Sequence, residues 1–128
     1  MPPRFTDDEL DKEVLFLLKQ HRGKAHPVGR WEMVEKIFSA GAAAAHLRND
    51  SNVADRHIRD SILRLLKAGV LICNMGDGQG SYLAETVDEY REFRTRYGSA
   101  AFDVIETIGK MDDAAAEEFP DLLQPRLL

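Results

Sequence analysis

The sequence contains one cysteine, Cys73, and no apolar run near the ~18 residues that a membrane-spanning helix requires. A single cysteine excludes an internal disulfide and favours a reducing compartment. The first nine residues also lack the apolar stretch of a secretory signal peptide. We therefore expect a cytoplasmic protein that makes no contact with a membrane.

Motifs for catalysis and metal binding are missing as well. The four histidines, residues 21, 26, 46 and 57, do not have the spacing of metal ligands. The glycine-rich segment 76–80 lacks the Gly-Lys-Ser/Thr ending of a phosphate-binding loop, and a strand rather than a helix follows it. No nucleophile is accompanied by a base and an orienting acid. The sequence predicts no enzyme activity, no cofactor and no metal site.

Charge is distributed unevenly along the chain, whose net charge is −5. Residues 1–21 carry −2, residues 22–68 carry +4 and residues 69–128 carry −7. A basic centre between acidic flanks is compatible with a surface that binds nucleic acid.

Two helices are predicted in the first third of the chain. Thr6 and Glu9 form a Thr-x-x-Glu capping box, which predicts a helix from Asp7 to about His21. A second helix is expected from about Arg30 to Ser39. The alanine-rich segment that follows either extends this helix or forms an extra turn, and the sequence leaves the boundary open.

A third helix and a hairpin follow. Asn52 is positioned to cap a helix whose apolar stripe contains Ala54, Ile58 and Leu65, and Gly69 ends it. Residues 70–74 and 80–84 are predicted strands, with Asp77-Gly78 supplying the positive φ angles of a short turn. The fold class is therefore mainly α with a small β-hairpin, that is, α+β.

A long C-terminal helix is predicted from residue 86 to residue 112, opened by a second capping box, Thr86 to Glu89. Its approximate heptad stripe either packs on helix one or joins a second subunit, and its aromatic content favours a homodimer. The predicted dimerisation residues are Tyr90, Phe93, Tyr97, Ala101, Val104, Ile105, Ile108 and Met111. The acid-rich residues 113–128 are expected to be loosely ordered.

This arrangement resembles winged helix-turn-helix DNA-binding domains, in particular the N-terminal domain of the bacterial biotin operon repressor. The matching residues are Ile58, Ile62, Leu65, Ala68-Gly69-Val70 and Gly78-x-Gly80-x-Tyr82-Leu83. The segment Gly80 to Thr86 is also similar to small winged-helix proteins of bacteria and phages. The resemblance implies a winged-helix domain at residues 1–85 that binds duplex DNA through helix three. The ligase domain of the repressor is absent from these residues, so no enzymatic role is implied.

The predicted DNA-binding residues are Arg30, Lys36, Ser51, Asn52, Arg56, His57, Arg59, Arg64, Lys67 and Gln79. Arginine on helix three can contact guanine or clamp phosphates. A solvated helix face, with i,i+4 pairs Arg56–Asp60 and Asp60–Arg64, explains the same residues without DNA. The hairpin carries no lysine or arginine and Leu63 is predicted to be exposed, which favours the alternative of a module that binds a partner protein.

Overall fold

The structure is a computed structural model that describes residues 5–119. Four helices and two strands follow one another as α1 (Asp7–Lys19), α2 (Arg30–Ile37), α3 (Val53–Lys67), β1 (Ile72–Asn74), β2 (Ser81–Leu83) and α4 (Val87–Glu118). The two strands form an antiparallel sheet. The predicted α+β class, mainly helical with a small hairpin, is confirmed. The chain divides into two compact units, Met1–Arg91 and Glu92–Leu128.

The first helix begins as its sequence predicts. The Thr6 hydroxyl accepts a hydrogen bond from the Glu9 backbone N–H at 3.1 Å, and the Glu9 carboxylate accepts one from the Thr6 backbone N–H at 3.0 Å. The hydrogen bond from the Thr6 backbone N–H is the main reason that the pKa of Glu9 is lowered, and the Thr6 side chain lowers it further. The helix ends at Lys19, two residues before the predicted His21. The backbone N–H groups of Gln20 and His21 donate to the carbonyls of Leu17 and Leu18, three residues back, instead of continuing the α-helical pattern of four.

The boundary that the sequence left open, after α2, is a series of turns rather than a longer helix. Helix α2 ends at Ile37, and a short 3-10 helix, Ala45–Leu47, precedes α3. Ala43 is buried in this segment, and its carbonyl accepts a hydrogen bond from Arg48 Nε at 2.7 Å. The alanine run therefore contributes to the core without continuing the helix.

The core of the first unit lies between α1, α2, α3 and the sheet. Val14, Leu18, Val28 and Val34 are fully buried there, and Ile58 of α3 is 3% exposed. Burial of side chains of this size contributes about 1.5–3 kcal/mol each, so this cluster fixes α3 against the rest of the unit.

The hairpin is shorter in its strands and longer in its loop than predicted. Ile72 pairs with Leu83, Cys73 with Tyr82 and Asn74 with Ser81, so the loop spans residues 75–80. Positive φ angles in this loop belong to glycines alone, including Gly78 at 79° and Gly80 at 127°. The prediction that Asp77 would adopt a positive φ angle is wrong. In the longer loop, each position with a positive φ angle is occupied by glycine.

A third segment pairs with the outer edge of β2. The Val28 N–H donates to the Ser81 carbonyl at 2.8 Å, and the Ser81 N–H donates to the Val28 carbonyl at 2.9 Å. A Cβ on Gly80 would collide with the Val28 backbone, so this close approach requires glycine at position 80.

The start of α4 departs from the predicted capping box. The Glu89 N–H donates to the Thr86 hydroxyl at 3.2 Å, but the Glu89 carboxylate accepts from the backbone N–H groups of Lys24 and Glu85. These bonds lower the pKa of Glu89. The helix then runs past Gly98-Ser99 and past the predicted boundary at residue 112 to Glu118. Residues 120–128 of the predicted tail lie outside the described part of the chain. Within residues 5–119, none of the helices combines the length and the hydrophobicity of a membrane-spanning segment.

Candidate nucleic-acid interface

The N-terminus of α3 is held by Asn52. Its side-chain oxygen accepts a hydrogen bond from the Asp55 N–H at 3.0 Å, and its amide nitrogen donates to the carbonyls of Ala42 and Leu47 at 2.8 and 2.9 Å. The amide is therefore used in joining α3 to the preceding turns. The Asn52 side chain, predicted to contact DNA, makes these three hydrogen bonds within the fold. The hydroxyl of the exposed Ser51 beside it has no partner among residues 5–119.

Asp55 is the central charged group of this region. It is 1% exposed and accepts from Arg30 Nε at 2.8 Å, from Arg30 Nη2 at 2.7 Å and from Arg59 Nε at 2.8 Å. Burial raises the pKa of Asp55, but the hydrogen bonds and charges of Arg30 and Arg59 outweigh it and hold that pKa below its ordinary value. Asp50 adds a second acceptor for Arg30 at 2.9 Å. The two acids raise the pKa of Arg30.

Arg30 and Arg59, both predicted to bind DNA, are therefore already bonded to acids of the fold. Each already carries an ion pair with a buried carboxylate, although their side chains remain 41% and 48% exposed. Arg59 Nη2 also donates to the Asp50 carbonyl at 3.3 Å, so part of each guanidinium is bonded within the fold. The i,i+4 pair that forms on α3 is Asp55–Arg59, whereas the predicted pairs Arg56–Asp60 and Asp60–Arg64 are not formed.

Arg64 is committed to a different acid. Its Nε and Nη2 donate to the Asp11 carboxylate at 3.0 and 2.8 Å, and the Ser61 hydroxyl donates to the same carboxylate at 2.6 Å. The Arg64 hydrogen bond is the main reason that the pKa of Asp11 is lowered. This cluster joins α1 to α3, so the Arg64 guanidinium, predicted to bind DNA, is paired with an acid of the fold.

Three of the predicted DNA-binding residues on α3 have side chains without a partner among the described residues. Arg56, His57 and Lys67 are exposed, and their side chains have no ion pair or hydrogen bond within residues 5–119. Lys36 on α2 is paired with Glu32 at 2.9 Å. Leu63 shares the outer face of α3 and is 49% exposed.

The hairpin loop presents polar but uncharged groups beside one acid. Gln79 is exposed at its tip, and the loop is held by hydrogen bonds from Gly76 N–H to Asn74 and from Gln79 N–H to Asp77, each 3.0 Å long. A groove of about 240 Å³ separates the loop from α3. Met33, Ile58 and Ile62 line it together with Arg30 and Arg59.

The predicted dimerisation residues divide into two groups. Tyr90 is half-buried and Phe93 is buried, and the Phe93 ring stacks on Tyr97 with the centroids 5.3 Å apart. Tyr97, Val104, Ile105, Ile108 and Met111 are between 36% and 66% exposed. Ala101 is exposed between them. The apolar stripe of α4 therefore begins at Tyr97 and excludes the two residues before it.

The acids that pair with the arginines of this region were not predicted from the sequence. Asp11 and Asp50 lie far along the chain from the arginines they bind, and no spacing rule connects them. Asp55 had a local signal, because it stands three residues after the capping Asn52, where a carboxylate is favoured. Among residues 5–119, no group of three or more His, Cys, Asp or Glu side chains is arranged to hold a metal ion.

Comparisons with protein-family models, with curated proteins and with solved structures gave no match to this chain.

Proposed function

We propose that this chain is a winged helix-turn-helix protein that binds duplex DNA through the outer face of α3, acting in the cytoplasm as a transcriptional regulator of bacterial or phage type. Support for the fold comes from the order of three helices followed by a hairpin, with Val28 forming an isolated bridge to β2. Support for DNA comes from α3 itself, which is about 22 Å long at 1.5 Å per residue and fits a major groove.

The observation that carries the proposal is the free guanidinium of Arg56. It is the exposed arginine of α3 that no described acid neutralises, and it lies in the first half of the helix, where helix-turn-helix proteins contact bases. His57 and Lys67 extend the same face. Arg30 and Arg59 act differently in this proposal: Asp55 orients them, and their remaining N–H groups bind phosphate.

An electrophoretic mobility shift with mixed genomic DNA tests the proposal. Arg56→Ala is expected to weaken binding about 10- to 100-fold, because a bidentate arginine contact is worth about 1–3 kcal/mol. Arg91→Ala, which removes an exposed arginine from α4, is the matched control and leaves binding unchanged. Binding should also fall steeply with salt. A wild-type protein that fails to shift DNA at low salt would rule the proposal out.

Self-association through α4 is the second part of the proposal. The exposed apolar residues of this helix fit a homodimer, which would place two copies of α3 on one DNA molecule and suit a palindromic site. Sedimentation equilibrium should give twice the mass of the chain.

A protein-binding module is the alternative function, and two observations favour it. Arg30, Arg59 and Arg64 are each balanced by acids, and Leu63 lies exposed on the same helix face. In this case the partner would cover α3 and Leu63→Asp would abolish its binding, while no nucleic acid would copurify with the complex.

A further inference from the structure

The exposed face of α4 has a regular spacing that the full length of the helix reveals. Because α4 continues to Glu118, its stripe consists of residues separated alternately by four and three positions. These residues are Tyr97, Ala101, Val104, Ile108, Met111 and Ala115. Alternating spacings of four and three define the seam of a two-stranded coiled coil.

Large and small side chains follow one another in the same order at the two ends of this seam. Its first two members are a large residue followed by a small one, Tyr97 and Ala101, and its last two are again large then small, Met111 and Ala115. If a second α4 runs antiparallel, Tyr97 lies opposite Ala115, Ala101 opposite Met111, and Val104 opposite Ile108. Every layer then combines a larger with a smaller side chain, which fills the space between two helices evenly. A parallel pair would instead place Tyr97 against Tyr97 and Ala101 against Ala101.

Charge along the helix favours the same orientation. Residues 92–97 contain two arginines and one acid, whereas residues 103–118 contain six acids and one lysine. In the antiparallel register Arg94 faces Glu118 of the second copy, so opposite charges meet at both ends. In a parallel pair the six acids of one helix would lie beside the six of the other.

We infer that α4 is an interaction surface for a second copy of this chain, and that the two helices pair antiparallel in the register that places Val104 opposite Ile108. This deepens the dimer proposed above by assigning its orientation and register. It does not depend on DNA binding, because the seam lies entirely on α4.

Sedimentation of the full chain tests the surface. Val104→Asp and Ile108→Asp should each raise the dimer dissociation constant at least ~100-fold, because a carboxylate would be buried in the seam. Phe102→Asp is the matched control: Phe102 is 72% exposed but lies outside the seam, so this variant should remain a dimer. Circular dichroism verifies that the monomeric variants keep their helices. A wild-type monomer would overturn both the surface and the proposed dimer.

Disulfide crosslinking tests the orientation. In a Cys73→Ala background, one chain carries Ala101→Cys and a second, longer-tagged chain carries Met111→Cys. An antiparallel pair joins the two different chains under mild oxidation, whereas a parallel pair joins each chain to its own kind. Crosslinking of Ala101→Cys chains to one another would overturn the antiparallel register while leaving the proposed dimer intact.

Charge reversal gives an independent test of register. Glu118→Arg alone should weaken an antiparallel dimer, since it places two arginines together, and Arg94→Glu in the same chain should restore it. In a parallel dimer Glu118→Arg exchanges one like-charged pair for another and has little effect, which would contradict the inference.

Discussion

Replacing Asp55 by asparagine should destabilise the first unit more than the same change at an exposed aspartate. Asparagine has the same shape, but it carries no charge and presents an NH2 group to arginine N–H donors. The Asp55 carboxylate is 1% exposed and accepts three hydrogen bonds from two guanidinium groups. Removing one partner of a buried pair typically costs about 3–5 kcal/mol.

The magnitude belongs at the lower end of that range. Arg30 and Arg59 are 41% and 48% exposed, so water replaces part of what they lose when the carboxylate is gone. We therefore expect Asp55→Asn to lower the free energy of unfolding by about 3 kcal/mol. With a urea dependence of about 1.5 kcal/mol per molar, the urea midpoint should fall by about 2 M.

Asp50 provides a matched control for this measurement. It binds the same Arg30 at 2.9 Å, but its side chain is 90% exposed. Asp50→Asn should therefore change the free energy of unfolding by less than about 1 kcal/mol. The reasoning would be refuted if the two variants had equal urea midpoints, because burial would then not determine the strength of the network.

Three further predictions concern other contacts. The bidentate pair of Asp11 and Arg64 joins α1 to α3. In a double-mutant cycle of urea unfolding, Asp11→Asn and Arg64→Met should therefore show a coupling energy of about 1 kcal/mol. Strictly additive effects of the two substitutions would contradict this. Gly80→Ala should lower the free energy of unfolding by more than about 2 kcal/mol and Gly78→Ala by about 1 kcal/mol. Both glycines have positive φ angles, but only Gly80 lies against the Val28 backbone. Similar thermal midpoints for the two variants would argue against that contact. The pKa values of Asp11 and Asp55 in the folded protein lie below the ordinary value of 3.8. The two carboxylates therefore stabilise the folded state above pH 3.8, and this stabilisation is lost as the pH falls through their folded-state pKa values. The free energy of unfolding of an Asp11→Asn/Asp55→Asn variant should consequently fall less than that of wild type between pH 7 and pH 3.

The helices and the hairpin were predictable because their signals are local. The Thr6–Glu9 capping box, the Asn52 cap and the apolar spacing of α3 each act within a few residues, and the structure confirms all three. Errors fell at the ends of elements. The second capping box at Thr86 is only half formed, because the distant N–H of Lys24 competes for the Glu89 carboxylate.

The candidate interface was less predictable, because its charges are settled by tertiary contacts. Arg64 meets Asp11, which is 53 residues away, and Arg30 meets Asp55, which is 25 residues away. The i,i+4 spacing on α3 predicted that Asp60 would pair with Arg64, yet Arg64 pairs with Asp11 of α1 instead. Arg56 forms no ion pair with any described acid, although the exposed Asp60 stands four residues after it on the same helix. A sequence shows which cations a helix carries, but only packing decides which of them are neutralised.

The pairing of Val28 with Ser81 also has a consequence for aggregation. Strand β2 has β1 on one side and residues 22–28 on the other, so both of its edges are occupied within the described chain. The remaining open edge belongs to β1, which is three residues long and bends away at Val70, whose carbonyl accepts from the Ile72 N–H. So short an edge is a poor template for strand addition. This sheet should resist growth into fibrils, and partial unfolding that frees residues 22–28 is the event that would expose it.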